Sequence, residues 1–410
     1  MKLRICGLLA IAAIAVAPGL SHAATPTLTT LVSFDGTDIS GPTGLVVDAD
    51  GNLFGTAEGG AYGYGVVFEI AKTASGYAST PIILVSFNGT NGEDPNAGLI
   101  ADAIGNLFGT TYFGGACPLG DGTVFEIAKT NSGYARAPTT LVSFGCTLSE
   151  APSSGLIADA NGNLFGATIR TSASSVFEVA KTGGGYASTI TRLTMFNGVG
   201  VAGRLTIDAN GNLFGATSQI RPEPFHGTVF EIAKTASGYA STPTTLYSFC
   251  AQVGCIDGAV PNAGLIADAN GNLFGTTSEG GAYGGGTVFK IAKTADGYAS
   301  TPTFLVNFCA MPECTDGERP TAGLVADAEG NLFGTTVSGG AHGYGTVFEI
   351  TNSGFVPPGI FAGTPGNANC FAKSLSAVAR KYGDLDAAAA ALGYSSVPVL
   401  QNDLAVYCAG

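Results

Sequence analysis

The sequence GLIADANGNLFGTTSEGGAYGGGTVFKIAKT at residues 264–294 contains the pattern that decides the fold. Three short runs of β-forming residues, at 264–268, 272–277 and 287–292, are separated by an Asn-Gly pair and by a glycine-rich loop. Asn-Gly accepts the positive φ angles of a tight hairpin turn. A fourth run, TFLVNF at residues 303–308, follows a Lys-Thr-x-x-Gly-Tyr turn. The stretch therefore predicts a four-stranded antiparallel unit.

The same unit recurs along the chain. Successive copies of the pentapeptide GNLFG lie 49 to 60 residues apart, which is the size of one propeller blade. The six copies begin at Gly51, Gly105, Gly162, Gly211, Gly271 and Gly330.

The strands carry apolar residues on both faces, as the neighbours Leu273 and Phe274 show. Such strands must be covered on both sides, and blades stacked face to face provide this cover. No fourth run follows the sixth GNLFG, but a matching run, LTTLVSF, stands at residues 28–34. We therefore predict an all-β, six-bladed β-propeller in which an N-terminal strand closes the last blade and protects two edges. An open β-solenoid is the alternative, and it would need capping repeats.

The two ends of the chain differ from the repeats. Lys2 and Arg4 precede an apolar run at residues 6–20, and the small residues around Ala23 predict a signal-peptide cleavage site. A transmembrane anchor is the alternative. Residues 372–381 and 385–392 are rich in Ala and Leu and predict helices. The expected organisation is a signal peptide at 1–23, the propeller at 24–358, and a linker with a small α-helical unit at 359–410.

Eight cysteines remain after removal of the signal peptide, and an even number in an exported chain predicts disulfides. A zinc site is the alternative, but no CxxC spacing occurs and two histidines remain. The spacing predicts the pairs Cys117–Cys146, Cys250–Cys255, Cys309–Cys314 and Cys370–Cys408.

The formal net charge is −13, and charged residues make up 11% of the chain. This acidity argues against nucleic acid as a partner. We expect an unknown protein or glycan ligand, and no transmembrane segment in the mature chain. We predict no cofactor, with a divalent cation on the propeller axis as the alternative.

The repeat pattern breaks in blades three and four, where the glycine-rich loop is replaced. Arg170, Arg192, Arg204 and Arg221 lie in or near this region, and His226 follows. Guanidinium groups bind carboxylates and sulfated sugars. We therefore take Arg170, Arg204, Arg221 and His226 as candidate ligand-binding residues; drift in loosely constrained loops is the structural alternative.

The aspartates that precede each Asn-Gly turn recur in every unit, as do the glycine-rich loops. Recurrence favours a structural role in the turns over a cation or phosphate site. No nucleophile or HExxH motif occurs, so catalytic residues remain unknown.

The motif G-L-x-x-D-x-x-G-N-L-F-G-T-T, followed by G-G-A-x-G-x-G-T-V-F, resembles the Gloeo/Verruco tandem repeat of exported bacterial proteins. The resemblance covers about residues 28–350. It implies a secreted, periplasmic or surface location and brings no assigned activity.

The leading functional hypothesis is a non-enzymatic binding or interaction scaffold. A metal-dependent propeller enzyme of the lyase or lactonase type is one alternative, and a structural protein of the cell envelope is another.

The signal peptide gives a direct prediction. The intact mass of protein recovered after export should correspond to a chain that begins near Ala24. A mass that includes the first 23 residues would favour the membrane anchor.

Overall fold

A computed structural model describes residues 39–357, apart from residues 49, 51, 96, 103, 117–119, 145–149, 170–172, 209, 220–225, 327–329 and 344. These residues form six antiparallel sheets, one for each GNLFG unit, arranged as a β-propeller. Within a complete blade the strands are hydrogen-bonded in chain order, so that the first strand is innermost. The prediction of an all-β, six-bladed propeller is confirmed.

The strands of the blades have the following bounds: Ile39–Val47, Leu53–Gly59, Val66–Ile70 and Ile82–Ser86 in blade 1; Ile100–Ala101, Leu107–Thr111, Thr123–Ile127 and Thr139–Ser143 in blade 2; Ala151–Pro152, Ile157–Ala158, Leu164–Ile169, Ala173–Val179 and Thr191–Asn197 in blade 3; Val199–Ile207, Leu213–Gln219, Thr228–Ile232 and Thr244–Ser248 in blade 4; Ile266–Ala267, Leu273–Thr277, Thr287–Ile291 and Thr303–Asn307 in blade 5; Val325–Ala326, Leu332–Thr336 and Thr346–Ile350 in blade 6.

Five two-stranded hairpins follow the third strands of blades 1 to 5, at Lys72–Thr73 with Gly76–Tyr77, Lys129–Thr130 with Gly133–Tyr134, Lys181–Thr182 with Gly185–Tyr186, Lys234–Thr235 with Gly238–Tyr239 and Lys293–Thr294 with Gly297–Tyr298. The helices of the described chain are two 3₁₀ turns, Val253–Cys255 and Pro312–Cys314. No helix among the described residues is long and apolar enough to cross a membrane.

The predicted end segments are not part of this description. The closing strand at 28–34 and the signal peptide fall within residues 1–38, and the predicted helical unit falls within 358–410; both lie outside the described residues. Blade 6 has three described strands, which matches the number that its own repeat supplies.

The hydrophobic core lies between blades. One buried cluster combines Phe54 of blade 1 with Leu107 and Phe125 of blade 2. The other junctions from blade 2 to blade 6 repeat this arrangement, each with residues from two consecutive blades. The Leu and Phe of GNLFG point to opposite faces of a strand, so each repeat covers the blade before it and the blade after it.

The last glycine of GNLFG faces an aromatic ring in its own blade. A Cβ atom at residue 166 would lie 2.6 Å from Cζ of Phe177, and one at residue 109 would lie 2.5 Å from Cζ of Phe125. Both phenylalanines are fully buried. The ring from the third strand therefore occupies the space that a side chain on the second strand would need.

The repeated aspartates hold the turn between the first two strands, as predicted. In blade 5, Oδ1 of Asp268 accepts hydrogen bonds from the backbone N–H groups of Asn270 and Asn272, and Oδ2 accepts one from the side chain of Asn272. Oδ1 of Asn272 then accepts from the backbone N–H of Lys293, at the start of the small hairpin. The same network occurs around Asp48, Asp102, Asp159 and Asp208.

The repeated tyrosines pack between blades. Tyr134 of blade 2 meets Phe54 of blade 1 edge-to-face, with ring centroids 5.2 Å apart. The hydroxyl of Tyr134 is buried and forms no hydrogen bond within the described structure, and burial raises the pKa of Tyr134 to about 12. These rings are therefore packing elements, and they are not available as a sugar-binding platform.

The glycine–phenylalanine contact gives a prediction for stability. Gly166→Ala should lower the free energy of unfolding by about 1–3 kcal/mol, because the added methyl group overlaps Phe177 in a packed core. Chemical denaturation measures this change.

Gly184→Ala is the matched control in the same blade, since a Cβ there meets no atom within 4 Å. Its free energy of unfolding should change little or rise slightly. Equal losses in the two variants would contradict the role assigned to the contact.

Candidate functional site

The loops at one end of the propeller form a repeated backbone frame. The segment that connects blade 1 to blade 2 is held from both sides: Asp94 donates its N–H to the carbonyl of Tyr64 in the preceding blade, at 3.0 Å. Glu93 and Phe113 exchange two backbone hydrogen bonds, of 2.8 and 3.0 Å. The connection therefore has a fixed path between two loops.

The same frame recurs at other junctions. Between blades 4 and 5, Val260 donates to the carbonyl of His226 at 2.8 Å, and Ala259 pairs with Glu279. Between blades 5 and 6, the corresponding residues are Arg319 with Gly285, and Glu318 with Ser338. A proline follows each connection and packs against a glycine of the preceding blade. A Cβ built on that glycine, at residue 65, 122, 227 or 286, would lie 2.3–2.9 Å from the nearest ring carbon of the proline.

Side chains on this frame are not conserved between junctions. The position of Tyr64 is occupied by His226 and Gly285 in the later copies, and that of Phe113 by Glu279 and Ser338. A constant backbone thus presents different chemistry at each junction, which is the behaviour of a recognition surface on a rigid scaffold.

A cleft of about 320 Å³ lies between blades 1 and 2 on this loop face. Its lining includes the aromatic rings of Tyr64 and Phe113 and the carboxylates of Glu58, Glu93 and Asp94. Phe113 is 46% exposed and Tyr64 39% exposed, so both rings are open to a ligand. We refer to these five residues as the aromatic–acidic cleft.

The innermost strands of neighbouring blades approach one another closely four residues before the turn aspartate. A Cβ at residue 264 would lie 2.5 Å from the carbonyl oxygen of Arg204, and one at residue 155 would lie 3.3 Å from the carbonyl oxygen of Gly98. Blade 4 has Arg204 at this position, directly before the recurring leucine of the first strand. The other five blades have glycine there: Gly44, Gly98, Gly155, Gly264 and Gly323. We call this set, together with Arg204, the axial ring.

Arg204 brings a long charged side chain to a ring of glycines. The residue is exposed, and no ion pair or hydrogen bond of its side chain occurs within the described structure. Partial desolvation of the guanidinium group lowers the pKa of Arg204. The group stays charged at neutral pH, so it is an open cation at the axial ring.

The predicted arginine cluster does not assemble among the described residues. Arg192 lies on the fourth, outermost strand of blade 3, where Nη2 contacts a carboxylate oxygen of Glu150 at 2.6 Å. Arg204 lies on the innermost strand of blade 4. Arg192 and Arg204 are close in sequence but not in space. The last strand of one blade lies at the outer edge of its sheet, and the first strand of the next blade lies at the inner edge. Arg170 and Arg221 lie outside the described residues.

Two of the predicted disulfides are formed, Cys250–Cys255 and Cys309–Cys314. Cys117, Cys146, Cys370 and Cys408 lie outside the described residues. His226 is half-buried, and its ring lies beside the first of these disulfides.

In the part of the chain described, the repeated aspartates accept hydrogen bonds within their own turns, as Asp268 does. A cation on the propeller axis stays a prediction. Among the described residues, His226, Cys250 and Cys255 form a group of possible metal ligands whose ligand atoms lie within 4.8 Å of one another.

Comparison with known families agrees with the repeat pattern. The model of the Gloeobacter/Verrucomicrobia repeat matches residues 20–219 and again residues 171–367. The chain belongs to this family. The search of curated proteins finds no match.

Several solved structures resemble the propeller of this family member. Puromycin hydrolase is 15% identical with a TM-score of 0.49, and the match covers 75% of this chain and 43% of that one. Regucalcin, a calcium-binding protein from Agrobacterium tumefaciens strain C58, is 14% identical with a TM-score of 0.43 over 77% and 90% of the two chains. The Hadza microbial sialidase Hz136 is 12% identical with a TM-score of 0.47 over 77% and 66%. At these identities none of the three indicates an activity for this chain.

Sequence reasoning did not find the aromatic–acidic cleft. Tyr64, Glu93 and Phe113 lie in three separate loops, and the backbone frame that unites them has no sequence motif of its own. The available signal was a phenylalanine, Phe113, at a loop position that holds Glu279 and Ser338 in later copies.

The axial ring gives a paired prediction. Arg204→Gly should lower the free energy of unfolding by less than about 1 kcal/mol, because glycine is the residue of every other blade and no described ion pair is lost. Gly264→Arg should cost more, by about 1–3 kcal/mol or above, because its Cβ overlaps a backbone atom that has no room to move.

Chemical denaturation of both variants tests the packing of the ring. If Gly264→Arg is as stable as the parent chain, the strands are not in the close contact described.

Proposed function

We propose that this chain is an exported, non-enzymatic recognition scaffold that binds a neutral oligosaccharide in the aromatic–acidic cleft. The observation that carries the proposal is the cleft itself: two open aromatic rings and three carboxylates on a hydrogen-bonded backbone frame. Because the frame is fixed before a ligand arrives, little conformational entropy is lost on binding.

The chemistry of the cleft suits a sugar. The rings of Tyr64 and Phe113 offer apolar faces to the C–H surfaces of a pyranose, and carboxylates accept charge-assisted hydrogen bonds from hydroxyl groups. The carboxylates of Glu58, Glu93 and Asp94 disfavour an anionic ligand, as does the net charge of −13. The proposal therefore specifies a neutral ligand.

The same proposal includes the domain organisation predicted from the sequence, with a signal peptide at residues 1–23, a propeller at 24–358 and a C-terminal unit at 359–410. The formation of the Cys250–Cys255 and Cys309–Cys314 disulfides supports an oxidising, extracytoplasmic location.

Arg204 supports a second candidate. An open guanidinium group at the axial ring is suited to a ligand that bears a carboxylate or a sulfate. This ligand would differ in charge from the one proposed for the cleft, so a single binding screen separates the two candidates.

The experiment is a screen of the full mature chain against neutral, carboxylated and sulfated oligosaccharides, followed by titration calorimetry on those that bind. Phe113→Ala should weaken binding of a neutral oligosaccharide by about tenfold, which corresponds to about 1.4 kcal/mol. Tyr283→Ala is the matched control, because Tyr283 is an exposed ring on the corresponding loop of blade 5. It should leave the affinity unchanged.

The outcomes distinguish the candidates. Binding that is confined to anionic oligosaccharides and lost in Arg204→Gly would move the site to the axial ring. Cleavage of a bound oligosaccharide would replace the scaffold with an enzyme. A Phe113→Ala variant with unaltered affinity would overturn the cleft proposal.

A further inference from the structure

The loop that connects blades 4 and 5 contains a cysteine pair with a histidine beside it. One ligand atom each from His226, Cys250 and Cys255 lies within 4.8 Å of the other two. All three residues are half-buried, so the group lies below the surface while remaining accessible.

His226 is fixed in place by its backbone. Its carbonyl accepts the N–H of Val260 at 2.8 Å. The next residue, Gly227, abuts Pro261 of the following blade so closely that a Cβ there would lie 2.3 Å from Cδ of the proline. The imidazole therefore starts from a rigid position at the cysteine loop.

The cysteine loop has hydrogen bonds that do not depend on its disulfide. Cys250 donates its N–H to the carbonyl of Gly258 at 2.9 Å, and the carbonyl of Cys255 accepts from Gly258 and Gly281, both at 2.9 Å. The buried carboxylate of Asp257 accepts from the N–H of Ala251 at 2.9 Å. These hydrogen bonds would hold the backbone of the loop in place when the disulfide opens, so both cysteine side chains would stay beside His226.

Blade 6 contains the same loop without the histidine. Cys309 donates to Gly317 at 3.0 Å, and Asp316 caps the loop as Asp257 does. The residue that corresponds to His226 is Gly285, where a Cβ would lie 2.7 Å from the Cβ of Cys309. The two cysteine loops share their backbone hydrogen bonds and differ at four positions within the loop, at residues 252–254 and 256 against 311–313 and 315. An imidazole lies beside the first loop and is absent from the corresponding position of the second.

We propose that His226, Cys250 and Cys255 form a zinc site that opens when the disulfide is reduced. Two thiolates and one imidazole are a known zinc ligand set, and three protein ligands leave a fourth position for water. Zinc bonds of about 2.0–2.3 Å require ligand atoms roughly 3.5–3.8 Å apart. The two sulfur atoms, about 2 Å apart in a disulfide, would therefore separate by roughly 1.5–1.8 Å. The imidazole nitrogen, which lies within 4.8 Å of both, would move closer by at most about 1 Å.

Reduction of the disulfide precedes zinc binding. A dithiol reductant is oxidised to its own disulfide, the S–S bond between Cys250 and Cys255 breaks, and each sulfur receives one electron and one proton. Zinc then displaces both protons as the two sulfur–zinc bonds form. With the disulfide intact, neither sulfur is a thiolate, and the site does not bind zinc.

The test uses the full mature chain, reduced with a phosphine that is removed before metal is added without oxygen. Zinc affinity is measured by competition with a chromophoric chelator, and cobalt is used in parallel to detect thiolate-to-metal charge transfer. The reduced parent chain should bind zinc, and His226→Gly, which copies the loop of blade 6, should bind it at least roughly tenfold more weakly.

The remaining variants separate this site from the other cysteines. The double variant Cys309→Ser with Cys314→Ser should keep the affinity of the parent chain, whereas Cys250→Ser with Cys255→Ser should lose both the tight zinc binding and the associated cobalt band. The unreduced chain should show neither.

Equal zinc affinity in the parent chain and in His226→Gly would overturn the proposal. So would tight binding that survives loss of Cys250 and Cys255. His226→Gly keeps both cysteines and removes one half-buried ring, so it keeps the test decisive if the double serine variant does not fold.

Discussion

The propeller depends on a phenylalanine ring that rests on a glycine in the neighbouring strand of the same blade. In blade 2 the ring of Phe125 lies where a side chain on Gly109 would be, with Cζ 2.5 Å from that position, and Leu99 of the first strand closes the same space from the other side. Three strands are therefore brought into register by one contact. The ring of Phe125 also packs in one buried cluster with residues of blade 1, among them Phe54. The same side chain therefore aligns the strands of blade 2 and forms part of the interface with blade 1.

This constraint explains which parts of the structure could be predicted from sequence. The last glycine of GNLFG is followed 11 to 16 residues later by a phenylalanine in all six repeats, and this pattern is visible in the sequence, as are the Asp and Asn residues that hold each turn. The blade count, the strand order and two disulfides follow from such local signals. Arg192 and Arg204 are close in sequence but lie at the outer edge of one sheet and the inner edge of the next, which the sequence did not indicate. The prediction for Arg170 and Arg221, which lie outside the described residues, stays a prediction.

The aromatic–acidic cleft was not predictable for a related reason. Tyr64, Glu93 and Phe113 are brought together by backbone hydrogen bonds between loops, and backbone hydrogen bonds impose no residue type. The frame therefore accepts different side chains at the same position. The position of Tyr64 is occupied by His226 at one junction and by Gly285 at another. The two ends of the propeller differ accordingly, with invariant Asp–Asn turns at one and variable side chains at the other.

The location of the core between blades, and not within them, also sets how the molecule comes apart. Five of the six described apolar clusters take residues from two consecutive blades, and the sixth, around Phe68, lies in blade 1. Most of the apolar contacts of a blade are therefore made with its neighbours. If an internal blade unfolds, the apolar residues of the two blades that pack on it become exposed to water. The free energy of unfolding that blade therefore includes the cost of exposing its neighbours. We therefore expect a blade to unfold together with the blades that pack on it, because a blade that loses its neighbour exposes apolar residues to water.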